Sequence, residues 1–74
     1  MKFLKIDDIL ININNITQIF IDNDKNDLYR IVVFYEGFDL VTMNKSVQAI
    51  FYDENLSKEE AQKQFDYLCY ELNK

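Results

Sequence analysis

Alternating apolar and polar positions in the first part of the chain predict short β-strands. In Ile9–Ile13 every odd position is isoleucine, which places these side chains on one face of a strand. The apolar segment Phe3–Ile6 predicts an earlier strand, and a turn at Asp7–Asp8 closes it. Asn14–Asn15 predicts a two-residue turn, because asparagine tolerates positive φ. The β-branched residues of Ile16–Ile21 then predict the next strand.

The most apolar strand is predicted at Leu28–Glu36, where both faces carry apolar side chains. Such a strand belongs in the middle of a sheet, with cover on both sides. The polar run Asp22–Asp27 before it predicts a loop. After it, Glu36-Gly37 predicts a tight turn, since Gly37 is the only glycine in the chain, and Phe38–Met43 predicts an antiparallel return strand.

The segment Asn44–Tyr52 is compatible with two structures. Val47, Ala49 and Phe51 alternate as in a strand, whereas Val47, Ile50 and Phe51 also fit one face of a helical turn. We favour the strand.

A helix is predicted over residues 57–73. Ser57 and Glu60 have the spacing of a capping box, in which each side chain accepts a backbone N–H of the other residue. Beyond the cap, apolar residues recur at helical spacing and form one stripe: Ala61, Phe65, Leu68 and Leu72.

These elements predict an α+β fold in a single domain, residues 1–74. An antiparallel β-meander of five or six short strands occupies residues 2–52, and a C-terminal amphipathic helix packs on one of its faces. Because one helix can cover only one face, the second apolar face of Leu28–Glu36 needs other cover. A curled sheet, a second copy of the chain or a partner protein would each provide it.

Composition restricts the partners and the location of the protein. The 74 residues include 13 acidic and 8 basic ones, a net charge of −5, and the basic residues are scattered. Direct nucleic-acid binding needs clustered Lys and Arg, so we do not expect it. Apolar runs such as Ile31–Tyr35 are too short to span a bilayer, and we expect a cytoplasmic protein. The single cysteine, Cys69, is interpreted as a small apolar core residue rather than a reactive thiol.

The residue types needed for common catalytic and metal sites are missing. The chain has no histidine, one cysteine and no glycine-rich loop, so we expect neither catalysis nor a cofactor. Asp22-x-Asp24-x-Asn26 copies the start of a calcium-binding loop. The copy fails at its sixth position, Asp27, and at its twelfth, Val33, which should be Gly and Glu. We therefore expect a hairpin loop and no metal site.

Acidic and tyrosine residues near the helix are the best candidates for a binding surface. Acids before and in the first helical turn could attract a basic partner or a divalent ion, or could simply favour the helix dipole. Tyrosines beside them could be interface anchors, or rings at the border of the core. The candidate partner-binding residues are Tyr52, Asp53, Glu54, Glu59, Tyr67 and Tyr70.

Four segments give the chain a resemblance to known small proteins: Phe3–Asp8, Ile11–Ile16, Tyr29–Gly37 and Ser57–Ala61. In them it resembles the small β-meander-plus-helix proteins of low-GC Gram-positive bacteria and their prophages. In size, charge and lack of catalytic residues it is similar to short acidic phage proteins that inhibit host defence nucleases, anti-CRISPR proteins among them. That resemblance implies a protein partner in the host cytoplasm.

Two classes of function remain open on the sequence. The leading hypothesis is a stoichiometric protein-binding module, such as a mobile-element inhibitor that places acidic and tyrosine side chains on a basic surface. The alternative is a structural or self-assembling protein, whose exposed sheet area buries itself against another copy as in a homodimer.

Overall fold

The computed structural model describes residues 2–74, which form five strands and one α-helix. The elements are β1 (Phe3–Ile6), β2 (Ile9–Asn12), β3 (Ile16–Lys25), β4 (Leu28–Asp39), β5 (Asn44–Leu56) and α1 (Lys58–Leu72), with one 3₁₀ turn at Ile13–Asn15. All strand pairs are antiparallel. The predicted α+β class is confirmed. The strands lie in two sheets, the hairpin β1–β2 and the meander β3–β4–β5.

The core lies on one side of the three-stranded sheet, between β4, the β1–β2 hairpin and α1. Ile31 and Val33 of β4 are both 0% exposed and lie at its centre. The remaining buried members come from the hairpin, the end of β5 and the helix: Leu4, Ile6, Ile11, Leu56, Ala61 and Leu68. We call this side of the sheet the inner face.

The helix begins where the sequence predicts. The Glu60 amide donates to Ser57 Oγ, and the Ser57 amide donates to Glu60 Oε1, both at 3.1 Å. Ala61 and Leu68 of the predicted stripe are buried, and Phe65 and Leu72 pack half-buried against the same core. Both the capping box and the stripe are therefore confirmed. Within residues 2–74, α1 has only 15 residues and is too polar to span a bilayer.

The other side of the three-stranded sheet also carries apolar side chains. Residues of β4 alternate between faces, so Val32 and Phe34 point away from the buried Ile31 and Val33. Their cross-strand neighbours share that side. We call the apolar surface formed by Phe20, Val32, Phe34, Ala49 and Phe51 the outer face. Among residues 2–74, the helix and the β1–β2 hairpin both pack on the inner face and leave the outer face uncovered.

The loop predicted at Asp22–Asp27 is mostly strand. β3 continues through Lys25, and only Asn26 and Asp27 form the turn. Asn26 adopts a left-handed φ of 51°, which asparagine tolerates. The Asn23 side-chain amide donates to the Asn26 carbonyl at 3.0 Å. Polar side chains are typical of loops, but in this segment they lie on a strand and lengthen the hairpin.

The turn predicted at Glu36-Gly37 is wrong. β4 runs through Gly37, which pairs with Ser46 and does not have positive φ. The atom nearest to a Cβ at this position would be Nε2 of the Gln48 side chain, at 3.0 Å. The backbone freedom of glycine is therefore not used here, and the Gln48 side chain from the neighbouring strand occupies the space beside Gly37.

The return strand predicted at Phe38–Met43 is wrong for the same reason, because the turn comes later. Residues 40–43 form it, and the Val41 amide donates to Asp39 Oδ1 at 2.8 Å. Met43 has a φ of 59°, unusual for a side chain of its size. The strand predicted for Asn44–Tyr52 is confirmed, and it continues to Leu56.

The two-residue turn predicted at Asn14–Asn15 is also replaced. Ile13–Asn15 forms a 3₁₀ turn instead, and the Asn14 amide donates to Oδ1 of Asn12 at 2.9 Å. Neither Asn14 nor Asn15 has positive φ. β2 and β3 lie in different sheets, so the connection changes sheets and does not close a hairpin.

We expect loss of core packing to destabilise the fold more than loss of the helix cap. Leu68→Ala should lower the free energy of unfolding by about 2–5 kcal/mol, because Leu68 is buried at the helix–sheet contact. Ser57→Ala should cost about 1 kcal/mol. Denaturant unfolding of both variants measures the difference. Equal losses would contradict the packing described above.

The strand position of Gly37 gives a second expectation. Gly37→Ala should change the free energy of unfolding by no more than about 1 kcal/mol, because the methyl group meets only the movable end of Gln48. In a Gln48→Ala background the same change should be neutral or stabilising. Denaturant midpoints of the four proteins test this. A loss of several kcal/mol that Gln48→Ala does not relieve would indicate a turn glycine.

Candidate functional site

Tyr52 and Tyr67 of the predicted surface lie together in an open cleft between β5 and α1. The cleft has a volume of about 540 Å³, and its lining residues are Tyr52, Glu60, Lys63, Gln64 and Tyr67. The four helical residues follow the spacing i, i+3, i+4 and i+7, so they share one flank of α1. We call this site the tyrosine cleft.

A β-bulge places Tyr52 at the cleft. Phe51 pairs with Val32 and Asp53 pairs with Ile31, so Tyr52 is an extra residue without a cross-strand partner. Bulges of this kind bend a strand and re-aim its side chains. The Tyr52 ring is half-buried and packs against the core. Tyr52 therefore lies between the core and the tyrosine cleft. Simple alternation of residues along β5 does not predict the bulge.

The phenol of Tyr67 is held beside a carboxylate. The Glu71 carboxylate raises the pKa of Tyr67 above its ordinary value, first as a hydrogen-bond acceptor for the phenol and then through its negative charge. Burial and the charge of Tyr52 add to the same direction. Lys74 Nζ in turn lies 3.6 Å from Glu71 Oε1. The neutral form of the phenol, which can donate a hydrogen bond, is thus favoured.

Tyr67 and Tyr70 are surface residues. They are 61% and 63% exposed, and Tyr70 lies on the side of α1 away from the buried Leu68. The Lys74 ammonium lies 5.3 Å from the centroid of the Tyr70 ring. Rings this exposed contribute little to core packing. Of the two interpretations offered by the sequence, their exposure therefore favours interface anchors over rings at the border of the core.

The candidate acids are not brought into the cleft. Asp53 and Glu54 lie at the end of β5, where the Glu54 amide donates to Asp53 Oδ1 at 2.8 Å. Glu59 is exposed in the first turn of the helix, where its charge favours the helix dipole. The acids beside the tyrosines are Glu60 and Glu71. Glu71 follows Tyr67 by four residues, a spacing that could have identified it from the sequence.

The C-terminal part of the chain nevertheless carries a net negative charge. Residues 53–74 contain six acidic and three basic side chains, a net charge of −3 out of the −5 of the whole chain. The tyrosine cleft and the exposed side of the helix therefore lie in a segment of net negative charge.

The acids that resemble calcium ligands have a different role. Asp22 Oδ2 lies 2.8 Å from Arg30 Nε, and Asp24 Oδ1 lies 3.2 Å from Arg30 Nη1. The guanidinium carbon of Arg30 also lies 4.5 Å from the centroid of the Phe51 ring. These contacts organise the end of the outer face. In the part of the chain that the structure describes, no three His, Cys, Asp or Glu side chains are grouped to hold a metal ion.

The tyrosine cleft is suited to recognition of a polar side chain. Its two phenols, an amide, an ammonium and a carboxylate offer hydrogen bonds of both directions around aromatic surface. A cleft this open on the surface leaves a bound group in contact with solvent. The arrangement matches the rim of a protein interface, where aromatic anchors are surrounded by polar groups.

The pKa of Tyr67 provides a test of the cleft. Glu71→Gln should lower the pKa of Tyr67, since it removes the carboxylate that favours the neutral phenol. The neutral phenol stabilises the fold at pH below its ordinary pKa, and this contribution is lost as pH rises through the raised value. A ring NMR titration of Tyr67 measures it, with Tyr67→Phe to assign the signal. An unchanged pKa in Glu71→Gln would show that the two side chains do not interact.

Similarity to known proteins adds nothing to this geometry. Comparison of the chain with models of protein families, with curated proteins and with solved structures found no match. The function is therefore inferred from the exposed tyrosines, the charge around them and the uncovered outer face.

Proposed function

We propose that this chain is a non-catalytic protein-binding module that meets its partner through the tyrosine cleft and the exposed side of α1. The observation that carries the proposal is the exposure of Tyr67 and Tyr70, at 61% and 63%, on a helix fixed to the core. Tyrosine is among the residues that contribute most to binding energy when an interface buries them. Because the fold leaves these rings exposed to water, a partner that buries them would gain that binding energy.

The helix presents these rings without much freedom to reorganise. Its first turn is held by the capping box at Ser57, and Ala61 and Leu68 are buried against the sheet. A binding surface on such an element loses little conformational entropy when the partner docks. Tyr52 is fixed in the same way, because its ring packs against the core.

The charge distribution favours a partner with a basic surface. The net charge of −3 over residues 53–74 would attract such a surface at long range and speed the encounter. Asp53, Glu54 and Glu59 need not contact the cleft for this effect. Their role in the proposal is to steer association, and that of the tyrosines is to slow dissociation.

The similarity to small acidic phage proteins gives the proposal a specific form. In that form, the acidic segment of residues 53–74 occupies a basic surface by which a host defence complex binds nucleic acid. Inhibition would then be stoichiometric and competitive. Addition of the protein should release a labelled oligonucleotide from the complex at a one-to-one ratio. Inhibition that leaves the oligonucleotide bound would exclude this form and retain the binding module.

Binding kinetics separate the two roles. A partner is first captured from host lysate with the wild-type protein, and surface plasmon resonance then compares variants. Glu59→Lys should slow association and weaken its salt dependence, because it removes attraction between exposed charges. Tyr67→Ala should mainly speed dissociation.

Two matched controls accompany these variants. Asp8→Lys makes the same charge change at the exposed β1–β2 turn, and its effect on association should be smaller than that of Glu59→Lys. Tyr67→Phe keeps the ring and should lose less affinity than Tyr67→Ala. Equal association rates for wild type and Glu59→Lys would remove the steering mechanism. Equal dissociation rates for wild type and Tyr67→Ala would show that the partner binds elsewhere.

A further inference from the structure

The outer face is an organised apolar surface on the side of the sheet opposite the helix. Val32 at its centre is only 5% exposed, because neighbouring side chains on the same face surround it. The Phe20 and Phe34 rings lie edge to face with centroids 5.3 Å apart. At one end the Phe51 ring is covered by the Arg30 guanidinium. These side chains are already ordered by contacts with one another.

The charge of this surface differs from that of the rest of the chain. Three basic and three acidic side chains lie at its two ends, so their charges cancel, compared with −5 overall. Arg30 lies with Asp22 and Asp24 at one end, where Lys25 pairs with Leu28, and Glu36 and Lys45 lie at the other. A nearly neutral apolar surface is complementary to a partner surface that is also apolar and nearly neutral. In this respect the outer face differs from the acidic exposed side of α1.

We infer that the occupant of the outer face is a second copy of this chain, in an antiparallel face-to-face dimer. The inference rests on the self-complementary sequence of β4. A two-fold axis that runs across the strands at Val33 brings Val32 opposite the partner's Phe34. The same axis brings Arg30 opposite the partner's Glu36, and Leu28 opposite the partner's Phe38. With this one axis, apolar side chains therefore contact apolar side chains, and the positive Arg30 lies opposite the negative Glu36.

The other two-fold arrangement is unfavourable. An axis along the strands would bring Arg30 opposite the partner's Arg30 and Glu36 opposite the partner's Glu36. Like charges that face one another across an interface oppose association. The guanidinium of Arg30 has five N–H donors, so contacts with Asp22 and Asp24 leave it able to bind a third carboxylate. Charge thus selects the antiparallel dimer.

The area of the outer face suits a dimer of moderate strength. From Leu28 to Phe38 the surface is about 33 Å long, and its three strands give it a width of about 15 Å. Two copies would bury on the order of 1,000 Å², near the lower limit for a specific interface. Side chains that are more than half exposed in the monomer would be covered, with Phe38 at 54% and Val47 at 63%. The pair would form a β-sandwich with a second core about 10 Å thick.

This dimer does not depend on the proposed function, because α1 packs on the inner face. It would direct the two helices, and both tyrosine clefts, away from each other. A partner with two equivalent sites would then be bound bivalently, at an affinity above that of one site.

Sedimentation equilibrium of the full chain tests the dimer. Between about 1 μM and about 1 mM the average mass should rise from near one chain towards two, as expected for a dissociation constant on the order of tens of micromolar. Glu36→Lys should raise that constant about tenfold or more. It places a lysine opposite the partner's Arg30, and the two-fold axis repeats this repulsive contact once more in the dimer. Phe38→Ser, at a position exposed in the monomer, should also raise it. Asp8→Lys carries the same charge change away from the outer face and should have little effect.

Each other outcome overturns the inference. A single-chain mass at every concentration would show that no second copy covers the outer face. A dimer unaffected by both Glu36→Lys and Phe38→Ser would use a different surface. Thermal unfolding of the dilute variants shows whether they remain folded. Tyr67→Ala should leave the dimer intact, so failure of the dimer and failure of the tyrosine surface are observed separately.

Discussion

Burial of one side of β4 is the constraint on which the rest of the structure depends. Ile31 and Val33 are fully inaccessible, and the helix reaches them because Ala61, also 0% exposed, allows a close approach. β3 and β5 flank this strand, while the β1–β2 hairpin and α1 cover its inner side. A chain of 74 residues has enough apolar material to cover one side of a three-stranded sheet, and this one does so with its helix and a hairpin.

That constraint also determines what remains on the surface. Because β4 alternates, fixing Ile31 and Val33 inside turns Val32 and Phe34 outward. Because the burial of Leu68 fixes the rotation of α1 about its own axis, Tyr67 and Tyr70 lie on sides of the helix that do not face the core. The molecule therefore has two different surfaces on opposite sides, one apolar and nearly neutral, the other acidic and rich in tyrosine. The dimer and the binding module proposed above use these two surfaces separately.

The candidate site was only partly predictable. Tyr67 and Tyr70 could be placed on the helix from its period, and the capping box fixed where that period begins. Grouping Tyr52 with Tyr67 required the β-bulge in β5 and the packing of α1 against the sheet. Asp53, Glu54 and Glu59 are close to the tyrosines in sequence, but Glu60 and Glu71 are the acids beside them in space. Local spacing predicts neighbours within one element, whereas contacts between elements depend on how those elements pack.

The sequence by itself determined the class of fold, the helix with its cap and stripe, and the central place of β4. These features follow from short-range periodicity and from the burial that an apolar strand requires. The sequence placed the turn at Asp7–Asp8, but only the tertiary structure decided where the later turns lie, because Asn23 bonds across its hairpin and Gly37 pairs with Ser46 inside the sheet. It also decided that β1–β2 forms a separate sheet on the inner face, since no local pattern encodes which strands pair. Which side of the sheet stays open follows from that packing.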